Sequence, residues 1–133
     1  MRILLDSNVL LSIGLFPNDR MLRLLGILKE HTIIMPSYIM DELKSVTERK
    51  FPKRKHIMER FLADLPYQFS YTPEDMEEGL FSIRDKKDYP VLYTAIREDV
   101  DILITGDKDF ADVDVEKPEI MTPAEFLDRY CQS

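Results

Sequence analysis

RILLDSNVLL, Arg2–Leu11, is the stretch whose reading decides the fold. Arg2–Leu5 is an apolar run of the length of a buried strand, and it stops on an acid, Asp6, where a helix is expected to open. A later stretch repeats the arrangement. DILI, Asp101–Ile104, predicts another strand, and TGDKDF follows it with Asp107 and Asp109 just past the strand end, Gly106 permitting a tight turn. Working outward, Thr32–Met35 predicts a strand stopped by Pro36, Gln68–Tyr71 a further one, and Glu119–Met121 the last. Helices are expected between them. Asp19–Lys29 carries Met21, Leu22, Leu24, Leu25 and Leu28. Ser37 is expected to cap a helix running to Lys50 with Ile39, Met40, Leu43 and Val46 on one stripe. Others are expected near Pro52, within Pro73–Gly79, from about Asp88 with Val91, Leu92, Ala95 and Ile96 inward, and from Thr122–Pro123 with Phe126 and Leu127 inward.

Strands alternating with helices predict an α/β fold, a parallel sheet with right-handed crossovers and both faces covered. At 133 residues the chain is expected to be one domain, residues 1–133, without repeats or linkers. In such sheets ligand sites form beyond the carboxyl ends of the strands, so residues just after the apolar runs are the candidates.

Composition narrows the chemistry. Hydrophobic residues make up 44% and charged residues 32%, as in ordinary globular proteins. No apolar run approaches membrane-spanning length, and the first acid comes too early for a signal peptide, so a cytoplasmic protein with no membrane partner is expected. The lone Cys131 excludes an intramolecular disulfide and a cysteine metal site. A net charge of −7 argues against nucleic acid at first sight, but its distribution is uneven. Lys44, Arg49, Lys50, Lys53, Arg54, Lys55 and Arg60 crowd one segment, whereas Asp64–Asp128 holds eighteen acids against six bases. A solvated helix face and a phosphate-guiding patch both fit the basic run.

Each acid has a structural and a chemical reading. Asp6 fits a helix N-cap, shared with Ser7 or Asn8, and equally a carboxylate facing the crevice, with the Asn8 amide able to orient a neighbouring ligand. Asp107 fits an Asx turn, but a second acid at Asp109 fits that less well, and Thr105 offers a hydroxyl to fix a carboxylate rotamer. Asp88, with Asp85 upstream, fits an N-cap ahead of Pro90. Glu42 fits an exposed helical glutamate. Together, acids gathered in a partly buried crevice repel and call for a cation, and oxygen ligands without His or Cys suit Mg²⁺ or Mn²⁺. Phosphodiester hydrolysis is the chemistry such a centre serves. The two histidines lack a plausible nucleophile, four glycines supply no phosphate loop, and Asn8 stands where an aspartyl-phosphate phosphatase would carry its second acid.

LLDSNVLL, the glutamate of IMDELKSV, the RDKKDYPVLYTAI helix and the LITGDKDF turn resemble, in order and spacing, the PIN-domain nucleases. The nearest branch resembles the VapC-like bacterial toxins and related toxin components, and the match reaches from Met1 to Leu127. The resemblance implies a three-layer α/β/α domain with sheet order 3-2-1-4-5. It implies an acidic quartet at Asp6, Glu42, Asp88 and Asp107, with Asp109 accessory on the metal, Ser7 where relatives often have Thr, and Asp85 matching a common acid. It implies an endoribonuclease using Mg²⁺ or Mn²⁺, commonly homodimeric, the toxins being inhibited by a cognate antitoxin. RNA would be guided by Lys44, Arg49, Lys50, Lys53, Arg54 and Lys55. The alternatives are a catalytically silent binding module, an RNA-processing nuclease without antitoxin, and a structure-selective DNA nuclease.

Overall fold

A computed structural model describes residues 1–110 and 112–131. Five strands form one parallel sheet: β1 (Arg2–Leu5), β2 (Thr32–Pro36), β3 (Tyr67–Ser70), β4 (Ile102–Ile104) and β5 (Glu119–Met121). Their order is β3-β2-β1-β4-β5, so β1 lies at the centre with Ile3 opposite both Ile33 and Ile102. Ile3, Leu4 and Leu5 are all buried, as are Ile33–Met35 and Ile102–Ile104, because helices cover both faces of the three-layer α/β/α domain. The adjacency of β1 and β4 brings the ends of RILL and DILI together, and the Asp6 N–H donates to the Ile104 carbonyl at 3.1 Å.

Among the described residues there are six α-helices, five between strands and one after the last: α1 (Ser7–Leu15), α2 (Asp19–Leu28), α3 (Ser37–Lys50), α4 (Lys55–Asp64), α5 (Tyr89–Arg97) and α6 (Pro123–Tyr130). Helix α1 packs against α2, α3 and α4. Its approach to α4 requires Gly14, where an added Cβ would lie 2.8 Å from the Phe61 ring. Helix α6 begins in a capping box, with Thr122 and Glu125 exchanging bonds and Pro123 in the first turn. No helix among the described residues is long and apolar enough to cross a membrane.

Several local expectations are corrected. Pro73–Gly79 forms no helix: Glu74, Asp75, Glu77 and Glu78 would crowd like charge on adjacent turns. The segment is instead tied to α5, the Glu77 N–H donating to the Tyr93 phenol oxygen at 3.2 Å and the Tyr89 hydroxyl to the Glu77 carbonyl. Ser37 does not cap α3. It is the first helical residue, and its Oγ accepts from the Thr72 N–H at 2.8 Å while Thr72 Oγ1 accepts from the Tyr38 N–H at 3.1 Å. Pro52 opens a 3₁₀ turn, Pro52–Arg54, ahead of α4, since a proline disfavours helical backbone at the residue before it, Phe51. Leu22 on α2 faces solvent, while Leu24 and Leu28 carry the burial. Strand β3 begins one residue earlier than the pattern predicts, at Tyr67.

Candidate metal centre

The centre forms where β1 and β4 end. Asp6, 7% exposed, caps α1 by accepting the Val9 N–H on Oδ1 at 3.0 Å, while Oδ2 accepts the Thr105 hydroxyl. The cap and the crevice readings therefore both hold for one side chain. Burial pushes the Asp6 carboxyl upward, the two hydrogen bonds oppose this, and the nearby charges of Asp107 and Glu42 add to the rise. Thr105 Oγ1 also accepts the Asp107 N–H at 3.0 Å, so one hydroxyl fixes the carboxylate of β1 and the turn after β4. Asp107 makes the expected Asx turn, its Oδ1 accepting the Asp109 N–H at 2.9 Å.

Glu42 is half-buried on α3 rather than solvent-exposed, and its Oε1 accepts the Ser7 hydroxyl, which links α3 to the start of α1. Asn8 contributes differently from expectation. Its side chain is exposed and makes no hydrogen bond to an acid among the described residues; its carbonyl accepts the Ser12 hydroxyl at 3.0 Å.

Asp88 corrects the cap reading more strongly. It ends a 3₁₀ turn, Lys86–Asp88, directly before α5, and its carboxylate caps nothing. The capping bond belongs to Asp85, whose Oδ1 accepts the Lys87 N–H at 2.9 Å. Oδ2 of Asp88 is buried without a hydrogen-bond partner among the described residues. The Asp88 carboxyl is pushed up to about 7, first by burial, then by its contact with the Asp107 carboxylate and the charges of Asp107, Asp85 and Asp109. Carboxylate oxygens of Asp85, Asp88 and Asp109 lie within 4.8 Å of one another. The acids thus form one connected set: Asp107 lies near both Asp6 and Asp88, Glu42 near Asp6, and Asp85 and Asp109 beside Asp88.

This donor set fits a hard divalent cation. It supplies only oxygen, it concentrates negative charge that repels itself, and it leaves one buried oxygen unmatched.

Two neighbouring residues escaped the sequence reading. Tyr38 lies one turn before Glu42 on α3; burial raises its phenol pKa, and the charges of Glu42, Asp88 and Asp85 raise it further. Lys87 shares a groove with Tyr38, Glu42 and Arg49. The i, i+4 relation of Tyr38 to Glu42 was a usable signal for the first; nothing local marks the second.

The basic segment does not form one stripe. Arg49 faces the Glu42 side of α3, whereas Lys44 and Lys55 line a different groove with Met40, Met58 and Tyr67. Lys55 pairs with Glu48 at 3.6 Å. Arg54 donates to the Leu15 carbonyl at 2.8 Å and lies 4.6 Å over the Phe16 ring, so its guanidinium closes the end of α1. Lys50 and Lys53 are exposed, without an ion pair among the described residues.

A family model described as the PIN domain matches residues 2–109. Comparison with curated protein sequences gave no match. Among solved structures, the chain is similar to VapBC2 from Rickettsia felis, solved bound to a DNA fragment from its promoter. That likeness has TM-score 0.65 and 19% identity over 91% of this chain and 97% of the other. It is also similar to VapC20 from Mycobacterium tuberculosis, described as a toxin that cleaves the sarcin-ricin loop. Here the TM-score is 0.60, with 9% identity over 82% of this chain and 92% of the other. At these identities the two likenesses speak for the fold, and the family match speaks for the sequence over residues 2–109. The chain belongs to the PIN-domain family.

Proposed function

We propose that this chain is a divalent-metal-dependent endoribonuclease and the toxin component of a toxin–antitoxin pair. The observation that carries the reading is the crowding of Asp85, Asp88 and Asp109 beside Asp107 and Asp6, with Asp88 Oδ2 buried and unpartnered. Membership of the PIN family and similarity to two VapC-type structures support it, and one of those relatives is a toxin that cleaves the sarcin-ricin loop. Asp6, Asp88, Asp107 and Asp109 would hold Mg²⁺ or Mn²⁺, with Asp85 completing the outer side. When bound, the cation supplies the positive charge that polarises a phosphodiester and acidifies water.

The chain's own residues do the positioning. Thr105 locks the Asp6 rotamer and the Asp107 turn together. Ser7 holds Glu42 by Oε1, leaving Oε2 to take the proton of the attacking water as the bond from phosphorus to the leaving oxygen breaks. A homodimer, a cognate antitoxin and a cytoplasmic setting go with the toxin reading.

The test is cleavage of a single-stranded RNA with Mn²⁺, with excess chelator, and by Asp6→Asn. Cleavage by the wild type alone, abolished by chelator, is expected. Equal cleavage by Asp6→Asn would overturn the proposal.

A further inference from the structure

Helix α3 carries Tyr38, Glu42, Ser45 and Arg49 at intervals of four, three and four, which sets them along one stripe. Facing that stripe is Lys87, from the turn that presents Asp85 and Asp88. Between them runs an open groove of about 610 Å³, lined from Tyr38 to Arg49 and shared with the acid centre through Glu42. Seven residues at 1.5 Å each put Arg49 about 10 Å along the helix from Glu42.

Two acids, Asp41 and Glu42, and two cations, Arg49 and Lys87, line this groove. Arg49 and Lys87 have no ion pair within 4.0 Å among the described residues, although the chain has a net charge of −7 and acids lie close by. Two cations held near carboxylates but not neutralised by them leave a positive site displaced from a negative one. A phosphodiester strand has the complementary pattern, one phosphate at the cation-filled acid centre and the next beyond it.

We propose that this groove is the track of a single RNA strand running from the acid centre, with Arg49 and Lys87 taking the phosphate next to the scissile one. Tyr38, half-buried one turn before Glu42 and so on the opposite side of the centre from Arg49, offers a ring face to the nucleotide on the other side of the scissile phosphate. The inference rests on the ribonuclease reading and deepens it. It also narrows the basic segment to one member, Arg49, and adds Lys87 from outside it.

The experiment is fluorescence anisotropy of a labelled single-stranded RNA against the full chain with Ca²⁺ added, over a series of salt concentrations. Removing both charges in Arg49→Ala/Lys87→Ala should weaken binding about 10-fold or more and flatten the slope of log affinity against log salt by about 0.7 for each phosphate no longer held. Lys44→Ala/Lys55→Ala removes the same charge from the separate groove between α3 and α4 and should leave both quantities near the wild type. Arg49→Lys should recover much of the loss in the Arg49→Ala single variant. Equal weakening by the two double variants would reduce the effect to net charge and overturn the track. An unchanged affinity in Arg49→Ala/Lys87→Ala would overturn it too, leaving the groove to a protein partner while the ribonuclease reading stands on its cleavage assay. Wild type that neither binds nor cuts RNA would overturn both.

Discussion

The hydroxyl of Thr105 donates to Oδ2 of Asp6, joining the end of β4 to the end of β1 ninety-nine residues away in sequence. The same oxygen accepts the Asp107 N–H, so a single side chain sets the mutual position of two acids. Thr105→Val keeps the shape and removes the hydroxyl. Mn²⁺ affinity measured by calorimetry should fall about 10- to 100-fold, the usual effect of losing a residue that orients a ligand. Thr105→Ser should restore most of it; a Thr105→Val protein with wild-type affinity would contradict the role.

Asp88 and Asp6 both carry carboxyl groups raised above their ordinary values, Asp88 to about 7. A carboxyl with a higher pKa folded than unfolded favours the fold while protonated. Its stabilising contribution is complete below pH 3.8 and is lost as pH rises to about 7. The metal-free protein should therefore melt lower at pH 8 than at pH 5.5. For Asp88 the full shift corresponds to about 4 kcal/mol, which solvent screening at a half-exposed group cuts to roughly 1–2 kcal/mol. Asp88→Asn should raise the melting temperature at pH 8 by about 3–6 °C without metal and flatten its dependence on pH. Added Mn²⁺ should stabilise the wild type more at pH 8 than at pH 5.5. Thermal scans in chelator across that range decide it, and a melting temperature that climbs with pH would count against the crowded centre.

Among the described residues, the Ser7 hydroxyl donates to one acid, Glu42. If Glu42 takes the proton from water, Ser7→Ala should lower kcat on single-stranded RNA about 10-fold and leave KM within about 2-fold, because the hydroxyl orients a base rather than touching substrate. A rise in KM at constant kcat would assign Glu42 to binding instead.

Two helical glycines should respond oppositely to the same change. Gly14 faces the Phe61 ring at a distance no Cβ tolerates, so Gly14→Ala should cost about 1–3 kcal/mol in denaturant unfolding. At Gly26 on α2 an added Cβ meets nothing within 4 Å, so Gly26→Ala should stabilise by about 0.5–1 kcal/mol through helix propensity.

How much of the fold and the centre is legible in the sequence follows from where the information lies. RILL and DILI are continuous apolar runs, which buried parallel strands demand, and their ends carry Asp6, Asp107 and Asp109 in plain view. Side-chain choices that depend on tertiary partners are not legible. Ser37 looks like a cap until Thr72 is beside it, and Asp88 looks like one until Asp85 takes the Lys87 N–H. The Pro73–Gly79 segment reads as helix by its proline and length, whereas its clustered acids and the two tyrosines of α5 decide otherwise. The split of the basic run across two faces of α3 needs the packing of α4, and Lys87 becomes visible only once its turn lies against that helix.

The central claim is that these acids hold a divalent cation. Its most direct test is calorimetric titration of Mn²⁺ into the wild type and into Asp88→Asn at pH 8. Saturable binding by the wild type, weakened about 10-fold or more in the variant, is the expected result. No binding by the wild type, or identical isotherms for the two proteins, would contradict it.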